Sequence, residues 1–186
     1  MDVVRITKTD DPYFDEFLSV YSISFPIFEQ RVKEQHIYAF NQPNYNVNCY
    51  IENNSFIGFI VFWDFDSYIY IEHLAIHPDR RGQNYGSLVL NQFIEQNEKS
   101  IILEIDPLVD DISVKRYHFY KHLGFIKNNH KHTHPAYREG FQDHELIILS
   151  TQKVLSKKEY EQFYSDLKNI VMNKMEAKIA AKVLNR

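Results

Sequence analysis

The chain is poor in the residues that staple, kink or loosen a fold. Its 186 residues include one Cys, one Trp, five Gly and six Pro. A lone Cys49 excludes an internal disulfide and fits a reducing compartment; set among apolar residues, it reads as a small core side chain. So few Gly and Pro argue against a loop-rich sandwich or domains strung on linkers. No stretch approaches the roughly 18 uncharged apolar residues of a membrane span. The longest, Phe56 to Trp63, has the length of a strand. Met1 to Phe14 lacks a basic segment followed by a long apolar run, so no signal peptide is expected. No membrane partner follows from this, and the cytoplasm is the expected location. Formal net charge is −4, and no long basic block precedes the C-terminus, so nucleic acid is not an expected partner either.

Aromatic residues are abundant. Fourteen Phe and 13 Tyr, spread along the chain, supply enough bulky surface for a packed core and exclude general disorder. Hydrophobic periodicity orders the elements. Val3 to Thr7 alternates as a first strand, and Thr9-Asp10-Asp11-Pro12 marks a helix start. Apolar residues at 14, 17, 18, 21 and 25 follow helical spacing as far as Pro26. A second helix is expected from Phe28 to Tyr38, then a loop from Asn41 to Asn48.

Period-two alternation predicts strands at 47–52, 56–65 and 68–76, joined at Asn53-Asn54 and Asp66-Ser67 into an antiparallel meander. A helix over 86–96 follows, with 85, 88, 89 and 93 as its apolar face, and then a buried strand at 101–105. The next helix, 112–122, is stopped by Gly124 where left-handed backbone is needed. Strands near 126–132 and 143–150 close the domain. The crossover from 68 to 105 makes its two strands parallel, within a mixed α/β sheet. Ser156 and Glu159 form a capping box opening a long helix with apolar positions 160, 163, 167, 170 and 171. Beyond Asn173 that helix turns Lys- and Ala-rich, an end expected to fray or to pack on a second subunit of a homodimer. Residues 1–150 are thus one expected domain, and 151–186 a C-terminal helical extension.

The most informative stretch runs from His73 to Ser87. A strand ends at Ile76, a polar loop carries Arg80, Arg81, Gly82 and Gly86, and an amphipathic helix begins. A helix start offers unpaired N–H groups and partial positive charge, which suits a pyrophosphate. Glycine allows close approach to the backbone, and either Arg adds a formal charge. The same pattern also fits an ordinary loop with surface arginines.

Arg81-Gly82-Gln83-Asn84-Tyr85-Gly86 resembles the R/Q-x-x-G-x-G/A signature of the GNAT acetyltransferase superfamily. Phe119-Tyr120 with Leu123-Gly124-Phe125 resembles the tyrosine helix of that family and its Gly-Phe exit. The resemblance covers roughly residues 3 to 150 and is nearest to the ribosomal-protein alanine acetyltransferase type. It implies the GNAT fold and an N-acetyltransferase that moves acetyl directly from acetyl-CoA to a primary amine, without a covalent enzyme intermediate or a metal. It also implies donor contacts at Leu74, Ala75 and Ile76, where the strand backbone meets the pantetheine arm. The pyrophosphate turn comprises Arg81, Gly82, Gln83, Asn84, Tyr85, Gly86 and Ser87. Asn84 replaces the first signature Gly, but Asn is among the residues that best tolerate left-handed backbone. Ser113 replaces an Asn that often touches CoA, and the loop between Glu104 and Tyr120 is longer than usual.

Acetyl transfer needs an ammonium to lose a proton, a polarised thioester carbonyl and a protonated leaving thiolate. The resemblance makes Tyr120 the proton donor and Glu104 the base, with Glu72 as a second candidate on the neighbouring strand. Partial burial would raise either carboxyl toward a base's range. His73 alternates to the side opposite Glu72. The acceptor, a small-molecule amine or a protein N-terminal amine, should meet the first two helices and the last hairpin. Glu29 could attract a cation there, although a solvated carboxylate is the plainer reading. His130, His132 and His134 alternate, with His144 nearby, a pattern that could ligate zinc or nickel; an exposed polar hairpin explains it more simply. The rival functions are a non-catalytic acyl-CoA-binding or regulatory protein on the same fold and a histidine-rich metal-binding module.

Overall fold

The computed structural model describes residues 1–173; the end expected to fray or dimerise lies outside them. Alternating side chains make β1 (Asp2–Ile6), β2 (Tyr45–Glu52), β3 (Ser55–Asp64) and β4 (Tyr68–Ile76) an antiparallel meander. The β2–β3 joint closes tightly because Asn53 and Asn54 take φ of 49° and 59°, the backbone that matches strand twist. Helix α3 (Tyr85–Glu95) then crosses to β5 (Ser100–Ile105), which runs parallel to β4. After α4 (Asp111–His122) come four short strands, β6 (Ile126–Lys127), β7 (Thr133–His134), β8 (His144–Glu145) and β9 (Ile147–Ser150). The main sheet has the order β1-β2-β3-β4-β5-β9-β6, while β7 and β8 pair separately. This is the mixed α/β sheet that the periodicity predicts.

Helices cover both faces. On one, α1 (Phe14–Ser24), α2 (Lys33–Phe40) and α5 (Lys157–Asp166), with its π-helical continuation Leu167–Val171, bury Phe17, Tyr21, Trp63, Phe163 and Leu167. On the other, α3 and α4 close over Ile57, Leu90, Phe93 and Leu103. Burying one such side chain stabilises the fold by about 1.5–3 kcal/mol. The apolar stripe expected on α5 is therefore seated on the sheet. Among the described residues no helix is long and apolar enough to cross a membrane.

Local hydrogen bonding accounts for the departures from the expected elements. Asp11 does not cap α1; its Oδ2 accepts from the N–H groups of Thr7 (2.6 Å) and Lys8 (3.1 Å), so the helix starts later. The second helix is a single 3-10 turn at Ile27–Glu29 followed by extended backbone. Only at Lys33 does α2 begin, with the Gln35 side chain accepting from the Val32 N–H at 2.8 Å. Tyr45 and Asn46, expected in a loop, pair with Trp63 and Phe62. The face of α3 is rotated, since Leu88 is 48% exposed and Leu90 is buried. The strand expected over 126–132 stops at Lys127 because Asn128 turns the chain. Its amide donates to Ser150 Oγ (2.8 Å) and accepts from the Leu155 N–H (2.7 Å).

One irregularity positions the site. Val61 pairs with His73 but Phe62 with Ile71, so Glu72 is an extra residue in β4. This bulge overrides strict alternation and puts Glu72 and His73 on the same face, 3.6 Å apart. The expectation that they face opposite ways is corrected by it.

Candidate functional site

Pairing between β4 and β5 ends at Ile71 and Leu103. Beyond that point the strands part, and a cleft of about 680 Å³ opens, reaching Leu74, Gly86, Glu104, Tyr120 and His134. β3 holds Leu74, Ala75 and Ile76 along one edge only. Gly58 allows that approach, because a Cβ there would lie 2.3 Å from the Ala75 carbonyl. The other edge is left toward the cleft, where an extended ligand can form main-chain hydrogen bonds.

At the end of β4, Pro78–Arg80 forms a 3-10 turn, and Gly82 (φ 74°) and Asn84 (φ 64°) take left-handed backbone. Asn84 thus adopts the conformation its side chain tolerates. The helical bond from the Leu88 N–H to the Asn84 carbonyl is 3.2 Å long; the N–H groups before it have no helical acceptor. Side chains fasten this turn to the protein. Arg81 donates to the Ile76 carbonyl and to Ser24 Oγ, both at 3.0 Å. Gln83 donates to the Asp79 carbonyl at 2.9 Å, and the Tyr85 hydroxyl to Glu52 at 2.5 Å. Gly86 lines the cleft opposite the Phe119 ring. Ser113 does not reach out as a ligand; it closes a capping box with Asp110 at the start of α4.

Tyr120, in the last turn of α4, lines the cleft. Burial raises its phenol, with Arg116 opposing, so it holds its proton at neutral pH. Glu104 accepts from the Tyr70 hydroxyl at 2.5 Å, contacts His132 Nε2 through its other oxygen, and lies 3.8 Å from His134 Nε2. Burial pushes this carboxyl up, but His134, His132 and Tyr70 together hold it below its usual range. Glu72 is likewise pushed up by burial and pulled down further by Arg31, His73 and Trp63, reaching about 2. It accepts from Arg31 Nε at 2.8 Å and Trp63 Nε1 at 2.7 Å. The expected upward shift fails for both carboxylates because burial arrives together with donors.

The raised carboxyl is Glu29. It lines the cleft, and burial followed by the like charge of Asp106 pushes it up to about 7, against Arg116. The Pro26 turn that aims it inward carries no sequence signal of its own. Nor is the histidine segment an exposed hairpin. His132 and His134 are buried, and His130 stacks on Tyr160 at 4.3 Å. The bend at Asn128 folds the segment under α5. Among the described residues no group of three or more His, Cys, Asp or Glu is arranged to hold a metal.

Comparison with known proteins gives a consistent set of likenesses. The family model described as Acetyltransferase (GNAT) family matches residues 12–125. YjbC of Bacillus subtilis (strain 168), assigned as an acetyltransferase, is 31% identical over 103 residues, 54% of this chain and 52% of that protein. The chain therefore spans about half the length of this curated relative. A Bacteroides thetaiotaomicron structure assigned as a GNAT-family acetyltransferase matches at TM-score 0.86 and 28% identity, over 92% of this chain and 98% of that one. The fold alone is shared with Arabidopsis thaliana Naa50 in complex with the bisubstrate analogue CoA-Ac-MVNAL (TM-score 0.56, 17% identity, 82% of this chain and 100% of that one). It is also shared with the ribosomal-protein-S18-alanine N-acetyltransferase of Escherichia coli (TM-score 0.54, 13% identity, 84% and 97%).

Proposed function

Because the chain belongs to the GNAT acetyltransferase family, we propose that it moves an acetyl group directly from acetyl-CoA to a primary amine. In this reading residues 1–150 carry the reaction and 151–186 are a helical extension. The observation that carries it is the meeting, in one cleft, of an open β4 edge, a helix-start turn and Tyr120. The free edge at Leu74, Ala75 and Ile76 suits the pantetheine arm. Backbone N–H groups of residues 82–87, with the charge of Arg81, suit the pyrophosphate.

Tyr120 then donates its proton to the leaving thiolate, and the carboxylate of Glu104 draws the acceptor's proton off. Glu72 keeps Arg31 and the bulged strand in place, since a group with so low a pKa is a weak base. The acceptor enters between the Phe25-Pro26 turn and the β7–β8 pair. Glu29 and Asp106 favour a cation there. A protein N-terminal amine is one such acceptor, in keeping with the activities for which the two weaker fold neighbours are named; a small-molecule amine is the other. A reducing, cytoplasmic setting suits the buried Cys49, whose thiol burial pushes up to about 12.

Calorimetry tests the donor half. Acetyl-CoA should bind the native chain, and Gly86→Val, which adds bulk at the channel wall, should weaken binding at least tenfold while the circular dichroism spectrum is kept. A native chain that does not bind acetyl-CoA contradicts the proposal, and so does a variant that binds it unchanged.

A further inference from the structure

We infer that His134 is the catalytic base, its Nε2 receiving the proton that the acceptor ammonium gives up, with Glu104 as fixed counter-ion. This rests on the acetyl-transfer reading and adds the atom that takes the proton. The argument begins with the tautomer. His134 Nδ1 lies 2.7 Å from the Pro135 carbonyl. A carbonyl only accepts, so Nδ1 carries the hydrogen and the neutral ring has its lone pair on Nε2.

That Nε2 is buried without a hydrogen-bond partner, on a side chain that lines the cleft. A buried unpaired acceptor in a native fold calls for a reason, and a substrate N–H entering the cleft supplies one. Glu104 is too far for a hydrogen bond at 3.8 Å, yet near enough to favour an imidazolium. Its own oxygens are occupied by Tyr70 and His132, which makes it a better counter-ion than first proton acceptor. The ring is clamped by Tyr137, stacked at 5.0 Å, and by His144 at 5.6 Å.

The groups facing His134 are Tyr70 and His73 on β4, Glu104 on β5, Tyr137, and His144 on β8. Burial pushes His73 down to about 4 and lowers His144, so Glu104 supplies the charge. The other buried rings are less suited. His132 has Nε2 on Glu104 and Nδ1 3.4 Å from the Tyr160 hydroxyl. His73 is held by the Glu29 carbonyl at 3.1 Å.

The step balances. One N–H bond of the ammonium breaks, its proton goes to Nε2, and the freed lone pair forms the bond to the thioester carbon. The C–S bond then breaks with its electrons on sulfur, which takes the Tyr120 proton. The new amide nitrogen returns a proton to Tyr120, and His134 releases its own toward solvent past the half-exposed His144.

The test measures the pH dependence of amine acetylation for the native chain and for His134→Gln. The variant should lose about 10²- to 10⁴-fold in kcat and keep acetyl-CoA affinity. Its rate should climb with pH as the amine deprotonates itself, with no plateau. Native kcat and a native acidic limb in the variant would overturn the inference alone. A native chain that binds acetyl-CoA but acetylates no amine would sink the acetyl-transfer reading, and the inference with it. Nitrogen NMR of histidine-labelled native protein gives a readout that needs no variant. Nδ1-protonated His134 with a bare Nε2 is expected, and the opposite tautomer would overturn the assignment.

Discussion

A carboxyl buried in a sheet gains its proton unless donors come with it. Glu104 and Glu72 show the second case and Glu29 the first. The residues that the signature reaches, Tyr120 and Glu104, were legible because motif and strand placement mark them. Glu29 and His134 were not, since the 3-10 turn after Pro26 and the bend at Asn128 bring them to the cleft. Tyr120→Phe keeps the packed ring and removes one proton; steady-state kinetics should show kcat lowered about 10²- to 10⁴-fold with acetyl-CoA affinity unchanged. Glu104→Gln should cost most at low pH, where the acceptor stays charged, and progressively less as pH rises. A loss of equal size at every pH would mean that Glu104 only positions its neighbours.

At the scale of elements, the tight joints were readable. Asn53-Asn54 closes a hairpin, and Gly124 ends α4 at φ 87°, each where only a few residue types fit. The bulge at Glu72 was not readable, because period two is all that a strand pattern shows; pairing with β3 creates it. The start of α2 was hidden for a similar reason, since the Gln35 side chain, not a hydroxyl or carboxylate cap, begins the helix. The π-helical end of α5 is tied to the site through Arg31, which donates to the Val171 carbonyl at 2.9 Å and to Glu72. Phe163, fully buried against Tyr68, Tyr70 and His132, joins helix and cleft. Phe163→Ala should lower stability by about 3–5 kcal/mol in denaturant titration. It should also reduce kcat, because Tyr70 and His132 hold Glu104; a stability loss without any kinetic effect would separate the helix from the site.

Over the whole molecule, two cores sandwich one sheet, and the titrating groups inside them set the pH range of stability. His36, His73 and Glu72 have folded pKa values pushed down to about 3, 4 and 2 from 6.5, 6.5 and 4.5. Each is worth most above its unfolded value, so stability should fall with pH from about 6.5 for the histidines and from about 4.5 for Glu72. Glu72 alone carries about 3 kcal/mol of that loss. Glu29 acts in the opposite sense: its contribution is present below about 4.5 and lost as pH rises through about 7. Melting temperatures recorded from pH 8 to pH 3 should decline steadily below 6.5, and a flat profile down to pH 4 would contradict this assignment of buried groups.

The central claim is turnover in the cleft, and amine-dependent release of CoA from acetyl-CoA tests it most directly. The native chain should be offered a panel of small primary amines and peptide N-termini. At least one acceptor should give CoA release in step with N-acetylated product, and without an acceptor acetyl-CoA should persist. Acetyl-CoA that is bound but never consumed by any amine would contradict the account and identify a non-catalytic acyl-CoA-binding protein.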